Sequence, residues 1–217
     1  MPRRWHAGPV AALDDGGFPA GFFERADPFP DPAFYSWPRL VTHIDERAIA
    51  EVGRLYDERR LRGHVLDLMS SWVSHFHRPP ERLTVMGLNR EELAANRQAA
   101  AAVVHDLNAS PTLPFRDGAF DGAVCCVSVD YLIEPVAVFA EVARVVVPGG
   151  QLVCTFSNRC FPTKAIRGWL YASDDERAAI VARYFEASGG WDEAVVERRI
   201  RPGAAGDPLY AVWAVRR

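Results

Sequence analysis

Gly63-His64-Val65-Leu66-Asp67-Leu68-Met69-Ser70-Ser71 is the stretch on which the reading of this chain turns. From His64 to Leu68 a short apolar run lies between a glycine and a pair of serines, which reads as a buried strand. A strand buried on both faces needs helices above and below it, so strands and helices should alternate outward from this point.

They do. Upstream, Leu40, Ile44, Ala48, Val52 and Leu55 recur at helical spacing and predict an amphipathic helix from Arg39 to Arg60. Downstream, Leu83 to Leu88 reads as a second strand. Asn89 then caps a helix from Arg90 to Ala100, with Glu92 at the third position of a capping box. Ala102 to His105 and Gly122 to Val129 are further strands. A helix starts at Pro135, runs to about Val146, and is stopped by Pro148-Gly149-Gly150. Gln151 to Phe156 is the fifth strand, and Ser173 to Ala187 is helical. Ala194 to Ile200 and Leu209 to Val215 flank a turn-rich segment short enough for a hairpin. The pattern predicts an α/β, Rossmann-like architecture: a seven-stranded, mostly parallel sheet with helices on both faces, closed by an antiparallel last strand at its edge.

Residues 1–38 are different. They carry Phe18, Phe22, Phe23, Phe29, Phe34, Tyr35 and Trp37 among prolines and glycines, too many rings for a linker. This is read as an aromatic arm or lid packed on a single α/β domain, residues 39–217.

The composition is that of an ordinary globular chain, with 49% hydrophobic and 24% charged residues. A net charge of −3 gives no reason to expect nucleic acid as a partner. No apolar run approaches the roughly 20 residues that span a bilayer, and none follows Arg3 and Arg4 as a secretory leader would require. Cys125, Cys126, Cys154 and Cys160 form no CxxC pair, which predicts reduced thiols in a cytoplasmic protein. No residues have metal-ligand spacing, and no nucleophile elbow appears, so neither a metal nor acyl transfer is expected.

In such sheets ligands bind outside the carboxyl ends of the strands. The residues there are Asp67 to Ser71, Asn89, Asp106 to Asn108, Ser128 to Tyr131 and Ser157 to Cys160. Val65-Leu66-Asp67-Leu68 resembles the first motif of the class I S-adenosylmethionine-dependent methyltransferases. Leu113-Pro114-Phe115, Phe120-Asp121, Glu141-Val142-Ala143-Arg144-Val145 and Pro148-Gly149-Gly150 are similar, in order and spacing, to the type-11 branch of that family. The resemblance runs from about residue 60 to 160.

It implies S-adenosyl-L-methionine as cofactor. Asp67 would orient a loop of Leu68, Met69, Ser70 and Ser71 under its methionine end. Asn89 would meet the ribose, Asp106 and Leu107 the adenine, and Ser128 the floor beside the methyl group. The chain departs from the family in one respect: its first loop contains no glycine, where a close backbone approach and positive φ normally call for one.

The activity implied is methyl transfer to a small-molecule acceptor. Such a transfer needs positioning above all, and a base only where the acceptor must lose a proton. His43, Tyr35 and Tyr131 are the candidate catalytic residues, with His75 beside them, and Asn158 and Arg159 are candidates for holding the acceptor. Tyr35, Arg39 and His43 would share a helix face if the helix began early enough. The rival function is a non-catalytic scaffold that keeps the methyltransferase fold. A nicotinamide-dependent oxidoreductase would need G-x-G-x-x-G after the first strand, and none is present.

Overall fold

The computed structural model describes residues 13–14 and 17–217, so Arg3, Arg4 and the first part of the arm lie outside the described residues. Seven strands form one sheet: β1 (His64–Leu68), β2 (Arg82–Gly87), β3 (Ala101–Val104), β4 (Phe120–Cys126), β5 (Val146–Phe156), β6 (Val195–Ile200) and β7 (Leu209–Val215). They pair in the order β3-β2-β1-β4-β5-β7-β6. The first five are mutually parallel, and β7 runs antiparallel to both of its neighbours.

The last strand is therefore antiparallel, as the sequence predicts, but it is not the edge. β7 lies between β5 and β6, and β6 is outermost. Composition explains the exchange: Leu209 to Val212 of β7 are buried, whereas Val195 and Val196 of β6 are exposed. The more apolar strand takes the covered position.

Alternation along the strands divides the core between two faces. Val65, Val85, Val124, Val153 and Ala211 face one side with α1 (Glu46–Glu58). Leu66, Met86, Cys125, Cys154 and Val212 face the other, against α3 (Pro135–Val145) and α4 (Asp174–Ser188). Adjacent Cys125 and Cys126 accordingly serve opposite faces, and all four thiols are free.

Helix α1 begins seven residues later than the spacing of Leu40 and Ile44 predicts. Its start is fixed by Asp45, whose carboxylate accepts from Ala48 N at 2.8 Å and from Asp207 N at 2.6 Å. Tyr35, Arg39 and His43 thus lie outside α1 and share no helix face. Helix α2 (Arg90–Ala95) is shorter than predicted because Asn96 turns the chain. Asn89 does cap it, accepting from Glu91 N and Glu92 N. The capping box is absent, since Glu92 points its carboxylate elsewhere. β5 begins at Val146, ahead of the predicted Gln151, with an irregularity that accommodates the Pro148-Gly149-Gly150 turn.

The crossover from β1 to β2 contains no helix. Residues 69–81 run as an irregular loop. Asn96 ties the loop by its side-chain amide to Ser71 O (3.0 Å) and Ser74 Oγ (2.7 Å), and Gln98 donates to Phe76 O (2.7 Å).

Candidate functional site

A cleft of about 430 Å³ opens at the carboxyl ends of β1, β2 and β4, where strand order reverses. That volume lies in the range of small-molecule sites. Its base is built from strand-end residues with unusual backbone. Met69, His75 and Val127 all have positive φ (52°, 57° and 47°), and all three line the cleft. Met69 therefore holds, without being glycine, the left-handed turn that a glycine would adopt freely. The carbonyl of Ser70 lies over Gly87 so closely that a Cβ there would approach it to 2.2 Å. Loop and β2 meet through this missing side chain.

The arm forms the cleft's other wall. Asp31 is buried and accepts from Arg25 (2.9 Å) and Asn108 (2.7 Å). Fully buried Lys164 lies 3.1 Å from both Asp27 and Asp31 and donates to Phe29 O at 2.7 Å. Further along, Asn89 Nδ2 donates to Tyr35 O at 2.9 Å. Glu92 accepts from Arg39 N (2.6 Å) with one oxygen and from Ser71 Oγ (2.5 Å) with the other. The arm is thereby tied to both halves of the strand-end edge.

The three candidate catalytic residues gather around one ring. His43, Tyr131 and Tyr35 lie 5.4, 6.0 and 6.4 Å from Phe161, centroid to centroid. Burial pushes both phenols well above their ordinary range, aided by the charges of Asp31 and Asp130 on Tyr35 and of Asp130 on Tyr131. They stay protonated, which makes them hydrogen-bond donors or acceptors rather than bases; Tyr131 Oη accepts from Phe161 N at 2.8 Å. Desolvation holds His43 below the usual histidine value, and His75 falls to about 4 through burial and the nearby His43. Both imidazoles are neutral at pH 7. Asp67 accepts from Ser70 Oγ at 2.7 Å, and its burial lifts it to about 7.

Of the predicted cofactor residues, Asp67, Met69, Ser70, Ser71, Asn89, Asp106, Leu107 and Ser128 all line the cleft. Leu68 does not: strand alternation turns its side chain into the core. Asn89 spends both ends of its amide on the protein, capping α2 and holding the arm. Asp106 Oδ1 closes its own turn by accepting from Asn108 N and Ala109 N, and Ser128 Oγ donates to Cys126 O.

The acceptor-side pair separates. Arg159 lines the cleft, but its guanidinium is paired with Asp207 at 3.0 Å, while Asn158 is exposed and outside the lining. Sequence reasoning did not single out Phe161, nor the bridge through Glu92 from Ser71 to Arg39. The only signal for Phe161 was its place in the Cys160-Phe161-Pro162 loop.

Among the described residues no group of histidine, cysteine or acidic side chains is arranged to hold a metal ion. No described helix is long and apolar enough to cross a membrane.

Residues 67–154 match the family model described as a methyltransferase domain. Comparison with curated protein sequences gave no match. Solved structures with a similar fold include the putative methyltransferase bound to the Trm112 activator from Haloferax volcanii (TM-score 0.58, 14% identity, covering 79% of this chain and 91% of that one). A methyltransferase from Aquifex aeolicus has a TM-score of 0.54 at 18% identity, over 80% of this chain and 95% of its own. The geranyl diphosphate C-methyltransferase of Streptomyces coelicolor, solved with S-adenosyl-L-homocysteine, has 0.52 at 14%, over 77% of each chain. At these identities the likeness is one of fold.

The residues present fit the cofactor of that family. The first loop keeps the backbone turn through Met69, and Gly87 lets it lie flat on β2. Two buried polar atoms of cleft-lining residues, Arg39 Nη1 and His75 Nδ1, have no protein partner. Residues 67–154 are thus similar to a methyltransferase domain, carried on a sheet whose fold is shared with solved S-adenosylmethionine-dependent methyltransferases.

Proposed function

We propose that this chain is an S-adenosylmethionine-dependent methyltransferase acting on a small molecule held between the arm and the loop after β5, with the arm as its lid. The observation that carries the reading is the cluster of Phe34, Tyr35, His43 and Tyr131 around Phe161 at the cleft. These rings offer a confined, largely apolar slot with few polar tips, the character of a small-molecule site. A net charge of −3 argues against a nucleic-acid acceptor, and four free thiols suit a cytoplasmic setting.

The bound cofactor supplies an electrophilic methyl group on sulfur. The chain's own work is to align the acceptor and exclude water. Tyr35 and Tyr131, held protonated, orient the acceptor. His43 is neutral and takes the proton from an acceptor that must lose one. Asp67 and Ser70 shape the loop beneath.

The test is release of S-adenosylhomocysteine on incubation with panels of small phenols, amines and carboxylic acids. His43→Gln should lower kcat by about 10²–10⁴-fold on an accepted phenol while cofactor affinity stays unchanged. Cofactor binding without turnover on any panel would instead support the scaffold reading.

A further inference from the structure

In open parallel sheets a ligand's negative charge is commonly met by the helix that follows the first strand, whose free amides and dipole face the site. Here that helix does not exist. Residues 69–81 form a loop, and Ser70 N is already committed to Met86 O at 2.7 Å. The methionine end of the cofactor carries a carboxylate, so another group must answer its charge.

The cleft offers few cations. His43 and His75 are neutral at pH 7, and Arg159 is paired with Asp207. Arg39 is different. Its guanidinium lies over three rings, 4.7 Å from the centroid of Phe34 and 5.6 Å from those of Tyr35 and Phe161. Nη2 donates to Phe34 O at 2.9 Å. Nη1 is buried with no partner. The nearby carboxylate, Glu92, takes the backbone amide of Arg39 and the hydroxyl of Ser71. That arrangement leaves the cation without an ion pair among the described residues, and fixes it one hydrogen-bonded bridge from the first loop.

We propose that Arg39 is the carboxylate receptor of this cleft, its Nη1 taking the α-carboxylate of the cofactor's methionine end in place of a helix terminus. The assignment rests on the methyltransferase reading and adds to it a residue from the arm. The arm thus helps to bind the cofactor as well as to cover it. A guanidinium clamped between rings is pre-organised for this contact in a way a lysine is not.

Calorimetry with two nucleosides tests it. S-adenosylhomocysteine carries the carboxylate; 5′-methylthioadenosine has the same adenosine and sulfur without the amino-acid moiety. Arg39→Gln should weaken S-adenosylhomocysteine by about ten- to a hundredfold and leave methylthioadenosine within about twofold. Arg39→Lys should recover part of the loss. In the wild type, added salt should weaken the first ligand more than the second, a readout that survives if the variants fold poorly. Equal effects on both nucleosides would make Arg39 a brace and overturn the proposal, as would no effect on either. A wild type that binds neither nucleoside would overturn the cofactor reading itself, and the receptor with it.

Discussion

Asn89 donates its side-chain amide to the carbonyl of Tyr35 at 2.9 Å, so the residue after β2 that the resemblance assigns to the ribose also holds the arm. The same amide group reaches Ser36 O at 3.4 Å, and its oxygen caps α2. Asn89→Asp keeps the capping oxygen but sets a carboxylate against two carbonyls. The expected result is faster amide hydrogen exchange in the arm and a loss of about 1 kcal/mol, or about 2–4 °C in melting temperature. Asn89→Ala should lose more, because the cap goes as well. Equal exchange in the arm of wild type and Asn89→Asp would mean that this contact does not hold the arm down.

Met69 gives a sharper test of the first loop. Its φ of 52° is a left-handed conformation that costs a side-chain-bearing residue roughly 1–2 kcal/mol. Met69→Gly and Met69→Ala lose nearly the same side-chain packing, but only the alanine retains that strain. The glycine variant should therefore be the more stable of the two by about 1 kcal/mol in chemical denaturation. The reverse order would mean that the turn is not left-handed in solution.

Gly87→Ala probes the same loop from below. The added Cβ would come within 2.2 Å of a backbone oxygen, which cannot swing away as a side chain would. We expect a loss of about 1–3 kcal/mol and, because Met69 to Ser71 must shift, weaker cofactor binding by calorimetry. Unchanged affinity in a folded Gly87→Ala protein would detach the loop from the cofactor.

A pH dependence follows from Asp130. Both its oxygens are buried without a partner, and burial raises its carboxyl to about 7 from 3.8. A carboxyl raised in the folded state contributes stability that is fully present below the unfolded value of about 4 and is lost as pH rises through about 7. Asp67, also lifted to about 7, adds to the same trend. Asp130→Asn should raise the melting temperature by several degrees at pH 8, do little at pH 4, and flatten the profile between them. An equal shift at both pH values would point to packing rather than ionisation.

Much of this fold was legible because its signals are local. Leu209 to Val215 has the predicted bounds, since turn residues flank an unbroken apolar run, and Ser173 before Asp174 marks the start of α4 through a capping box that forms. The start of α1 was misread because Leu40 keeps helical spacing while being exposed, and the decisive contact, Asp45 with Asp207, spans 162 residues. The position of β7 inside the sheet depends on how two strands compete for cover, which neither strand's pattern records. In the site, strand-end residues were found by topology alone. Arg39, Glu92 and Phe161 were not, because they meet only when the arm, α2 and the loop after β5 pack together.

The loop from Met69 to Glu81 carries a consequence for how the protein assembles. A helix at this crossover would bring its own ladder of hydrogen bonds and could form early, from neighbours in sequence. This segment instead borrows its order from Asn96 and Gln98, more than twenty residues ahead, so it can settle only after β2, α2 and β3 have docked. This wall of the cleft is then among the last parts to form and the first to open. Ligand binding should accordingly slow proteolysis within residues 69–81 far more than within the sheet, and couple cofactor occupancy to the lifetime of the folded chain.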